Sequence, residues 1–119
     1  MNTESFVDIL KEVVRNSSVK SVETTLEYVP GRSPDRRLVE LSTWYHSLAE
    51  RDKYFLRQVV AESVDSALFG FLCVLDGVRA VEPDGNSGDF EVRYHRNGDS
   101  IVLSPNEEAG YLHDLYNAE

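Results

Sequence analysis

The chain has little of several things, and the scarcest in consequence is cysteine: Cys73 is the only one in 119 residues. A single thiol forms no intrachain disulfide and no cysteine-based zinc cluster, so the core has to hold without covalent staples. Long apolar runs are also missing. The most apolar stretch, Ala67 to Leu75, stops at Asp76-Gly77, well short of the roughly 20 residues that a bilayer crossing needs. The first residues, Met1-Asn2-Thr3-Glu4, carry neither the cationic start nor the apolar body of a secretion signal. These absences predict a cytoplasmic protein with no membrane partner.

Positive charge is scarce in one half only. Residues 1–61 hold nine acids and nine Lys/Arg, while residues 62–119 hold twelve acids against Arg79, Arg93 and Arg96. The second half therefore carries the whole net charge of −9. Such a field repels nucleic acid and speeds encounter with basic partners. Arg32, Arg36 and Arg37 form a small basic group, but Asp35 and Glu40 dilute it.

Catalytic and metal motifs are missing as well. His46, His95 and His113 lie far apart in sequence, and no H-E-x-x-H or G-x-S-x-G occurs. Cys73, within Phe71-Leu72-Cys73-Val74-Leu75, reads as a buried structural thiol. Asp84 to Asp89 has a superficial likeness to a calcium loop without its spacing or closing Glu, and reads as a polar loop. No cofactor, catalytic residue or metal ligand is assigned.

What is present is periodicity. Phe6, Ile9, Leu10, Val13 and Val14 have the spacing of one helix stripe, with Asn16-Ser17-Ser18 as its end. Residues 20–29 fit either a strand or a helix, and their β-branched content favours an extended segment. Ser33-Pro34-Asp35 starts a second helix with the stripe Leu38, Leu41, Tyr45 and Leu48. Ser47-Leu48-Ala49-Glu50 has capping-box spacing and opens a long third helix ending at Gly77. Its apolar side is read as Phe55, Leu56, Val59, Val60, Ser63, Ala67, Phe71 and Val74. Val78 to Glu82 reads as a short strand. Asn97-Gly98 between two alternating runs predicts a hairpin pairing Arg96 with Asp99, Tyr94 with Ile101 and Val92 with Leu103. Tyr111, Leu112, Leu115 and Tyr116 mark a short last helix. The expectation is one domain, residues 1–119, of the α+β class. It has a helical core around one long central helix and a small antiparallel sheet containing the Asn97-Gly98 hairpin.

Gln58, Glu62, Asp65, Phe69 and Asp76 follow steps of 4, 3, 4 and 7, a stripe opposite the apolar side of the long helix. An aromatic ring among acids suits docking. Phe69 is the expected anchor and Glu62, Asp65 and Asp76 the charged surround for a basic protein partner. The reading is of a non-enzymatic, inhibitory or protein-binding domain. Two alternatives stand beside it. One is a metal-dependent or acid–base enzyme using Glu62, Asp65 and a distant histidine. The other is a homodimer that buries the Phe69 face.

The stretches Trp44-Tyr45-His46-Ser47-Leu48, Phe69 to Gly77 (F-G-F-L-C-V-L-D-G) and Leu112-His113-Asp114-Leu115-Tyr116-Asn117 resemble a small bacterial family of unknown function. The resemblance spans about Pro30 onward and implies no catalytic residues. In size and acidity the chain is also similar to bacterial immunity proteins, which neutralise toxins by binding them.

Overall fold

A computed structural model describes residues 1–83 and 88–118. The elements run α1 (Thr3–Ile9), a π-helical stretch (Leu10–Asn16), α2 (Ser17–Glu27), α3 (Arg36–His46), α4 (Glu50–Leu75), β1 (Val92–Arg96), β2 (Asp99–Ser104) and α5 (Leu112–Asn117). The class is α+β, with one long helix and one two-stranded antiparallel sheet. The chain forms two compact units, residues 14–65 and residues 1–13 with 66–119.

In the unit of residues 14–65, the segment expected to be extended is helix. Asn16-Ser17-Ser18 does not end the first helix; the backbone passes through π turns and continues as α2 to Glu27. Its half-buried side includes Val19, Glu23 and Leu26, a helical spacing that the β-branched residues do not outvote. α3 is capped by Asp35, whose carboxylate accepts from the amides of Arg37 (2.8 Å) and Leu38 (3.3 Å). Ser33 is therefore not the cap. Tyr45 is the fully buried residue of α3, and its hydroxyl donates to Glu27 at 2.9 Å. The expected capping box at Ser47 does not form either. That hydroxyl donates back to the Trp44 carbonyl, and α4 starts two residues late, at Glu50. Arg15 grips Asp65 through two parallel bonds of 3.0 and 3.2 Å.

The other unit has a core of Val7, Leu72, Leu112 and Tyr116, with Phe6, Leu10, Leu68, Phe69 and Val92 packed against it. α4 closes with crossed bonds, Val78 N–H to the Cys73 carbonyl and Gly77 N–H to Val74, both at 3.1 Å. Gly77 takes φ +75°, which glycine adopts without steric cost. Val78 to Glu82 forms no strand. The hairpin turns at Asn97 (φ 51°) and Gly98 (φ 84°), both left-handed as a two-residue type I′ turn requires. Arg96 pairs with Asp99 and Tyr94 with Ile101 as expected, but a bulge then places Val92 opposite Ser104. Leu103 is thereby buried, and its carbonyl accepts the Thr3 hydroxyl at 2.7 Å.

The apolar side that periodicity gave α4 is covered only in part, at Leu56, Val60 and Val74. Phe55, Val59 and Phe71 are exposed, while Leu56, Val60, Leu68, Phe69, Leu72 and Cys73 turn inward to varying degrees. α4 also has the length and apolarity of a membrane-crossing helix, although no unbroken apolar run announced it. Glu62 and Asp65 fall inside it, and a carboxylate at a bilayer centre costs about 3 kcal/mol.

Candidate functional site

The residues assigned to a docking stripe do not form one. Glu62 is exposed and Asp65 is held by Arg15. Phe69 is half-buried against the core, with its ring edge-on to His113 at 5.5 Å between centroids. The Asp76 side chain is 1% exposed. Two of the four thus serve the interior, because the buried side of α4 is rotated from the one its periodicity suggested. Phe69 as an outward anchor is overturned by its packing.

Asp76 instead anchors the last helix. Its Oδ1 accepts the Leu112 amide at 3.0 Å, and its Oδ2 accepts the His113 amide at 2.9 Å and His113 Nδ1 at 2.6 Å. An ionised carboxylate only accepts, so the Nδ1 facing Asp76 carries a ring proton, while Nε2 lies 3.3 Å from Asp114 Oδ1. The imidazole is stacked on Tyr111 at 5.4 Å. Helical spacing puts His113 off the Leu112, Leu115 and Tyr116 stripe, on the outer side of α5. It is in fact half-buried by Asp76, Phe69 and Tyr111.

Beside this cluster lies a cleft of about 460 Å³. Asp76, Asp89, Phe90, Pro105, Glu107 and Tyr111 are among its lining residues. Phe90 and Tyr111 are each about half exposed. The loop after β2 that forms one wall is fixed by Asn106. Its Oδ1 accepts from the amides of Glu108 and Ala109 at 3.1 Å each, and its Nδ2 donates to Thr3 Oγ1 at 3.3 Å. Glu82 steadies the chain before Asp89 by accepting the Gly88 amide at 3.2 Å. The cleft therefore offers rings and carboxylates on a tethered wall. That chemistry suits a cationic, partly apolar group.

Sequence reasoning missed Asp89, Phe90, Glu107 and Tyr111. Alternation along the chain puts Phe90 on the face of Val92 and Tyr94, and helical spacing puts Tyr111 in the stripe of Leu112, Leu115 and Tyr116. Each instead falls just outside its element, Phe90 before β1 and Tyr111 at the cap of α5, where the alternation no longer dictates burial. The calcium-like sequence lies largely outside the described residues. No group of three or more His, Cys, Asp or Glu able to hold a metal occurs among the described residues.

No family model matches the sequence, and no curated protein or solved structure matches it.

Proposed function

We propose that this chain is a non-enzymatic protein-binding domain that receives a basic segment of another protein in the cleft beside Asp76. The supporting observation is the pair of half-exposed rings, Phe90 and Tyr111, lining one cleft with Asp89 and Glu107. All four lie in the half of the chain that carries the −9 surplus. Aromatic faces and carboxylates attract Arg and Lys for separate reasons, one through the ring quadrupole and one through charge. Asp76 is spent on α5, so Asp89 and Glu107 are the charges a ligand meets. Neutralising a basic toxin by binding is one concrete form of this activity.

The test is fluorescence anisotropy with a labelled Arg/Lys-rich peptide and an Asp/Glu-rich control of equal length. Binding of the basic peptide alone is expected, weakened about tenfold (about 1.4 kcal/mol) by Tyr111→Ala or Phe90→Ala. Equal binding of both peptides, or none of either, refutes the proposal.

A further inference from the structure

A second surface points to a different partner. On α4, Arg51, Phe55, Val59 and Glu62 recur at spacings of 4, 4 and 3, one side of a 3.6-residue helix. All four are exposed, Phe55 at 49% and Val59 at 59%. Tyr54, its ring 5.4 Å from that of Phe55, widens the apolar patch and is also half exposed. Two adjacent apolar side chains on a helix face, with a cation at one end and an anion at the other, are a self-complementary pattern.

We infer that this face joins two copies of the chain through antiparallel α4 helices, with Arg51 of each copy paired to Glu62 of the other around a Phe55–Val59 centre. Eleven positions separate Arg51 from Glu62, about 16 Å along the helix, so they cannot pair within one chain. Neither has an ion-pair partner among the described residues; the Arg51 guanidinium rests 5.6 Å from the Phe55 ring centre. The two lie only about 20° apart around the axis, on the same flank. An antiparallel pair brings same-flank residues together about a two-fold axis near Leu56 and Arg57, and such an interface repeats each contact twice. Phe55 of one copy then packs on Val59 of the other. Asp52 sits on the opposite flank and meets Ser63 rather than Glu62. A parallel pairing would instead set unlike flanks side by side and leave Glu62 near Ser63 with no cation to meet, so Glu62 selects the direction.

The experiment is sedimentation equilibrium on the purified full-length chain and on R51E, E62R and the double swap R51E/E62R. A dimer is expected for the unaltered chain. Each single swap should weaken it by about tenfold or more, and the double swap should restore it, since the pair is only reversed. A monomeric unaltered chain overturns the inference, whether another protein or the rest of the chain covers this face. A double swap as weak as the singles overturns the antiparallel pairing. All three variants should still bind the basic peptide, because no altered residue lines the Asp76 cleft; the two proposals therefore fail separately.

Discussion

Asp76 shows how one side chain can decide a local structure. Three donors converge on its carboxylate, two of them backbone amides that open α5. Asp76→Ala leaves all three without an acceptor, at a cost we set at about 3 kcal/mol from the usual penalty of unsatisfied buried donors. Urea unfolding should read that loss. Asp76→Asn, which keeps one carbonyl acceptor, should lose less. Tyr45 makes a prediction in pH. Burial, and then the hydrogen bond to the Glu27 carboxylate, raise its phenol above the ordinary value of 10, although Arg57 opposes them. The folded state thus holds this proton more tightly than the unfolded state. The resulting stability is intact below pH 10 and is lost as pH rises through the raised folded value. Tyr45→Phe should cost about 1 kcal/mol near neutrality from the lost bond. Its unfolding midpoint should also fall less steeply than that of the unaltered chain above pH 10.

The element that most needs its surroundings is α5. Six residues are far too few to be helical alone. Leu112 and Tyr116, one turn apart, bury the helix in the core. Asp76 satisfies its first amides, and Lys11 donates to the carbonyls of Leu115 (3.3 Å) and Ala118 (3.2 Å) at its end. Both tethers cross long stretches of sequence, which is why only the apolar half of this helix was legible beforehand. The long α4 offers the opposite case. Gly70 lies inside it, and a Cβ there would stand 2.6 Å from a terminal nitrogen of Arg79. That nitrogen ends a flexible side chain on an exposed residue, so it can swing aside. Gly70→Ala should then gain up to about 1 kcal/mol from helix propensity, raising the urea midpoint. A lowered midpoint would mean that the Arg79 contact on α4 outweighs the propensity gain.

At the scale of the whole molecule the governing quantity is the one-sided charge. Residues 62–119 carry all of the net −9, so the field reaches beyond the cleft and acts before contact. Screening shortens its reach from about 30 Å at 0.01 M salt to about 3 Å at 1 M. Stopped-flow measurement with the basic peptide should therefore show an association rate that drops steeply with salt. Dissociation should change much less, because short-range ring contacts set it. An association rate indifferent to salt would show that the surplus has no steering role.

The sequence by itself determined what rests on neighbours in the chain. The Asn97-Gly98 turn needs two left-handed residues in succession, and the stop after Leu75 needs Gly77. The α+β class followed from the change of period between the helices and the hairpin. Only the tertiary structure decided which side of α4 is inside. The strong apolar residues of α4 surround it widely, so the packing that covered Leu72 and Phe69 left Phe55 and Val59 outside. The same packing turned Asp76 from a surface acid into a cap, because its partners lie 36 and 37 residues away, where no local pattern can register them.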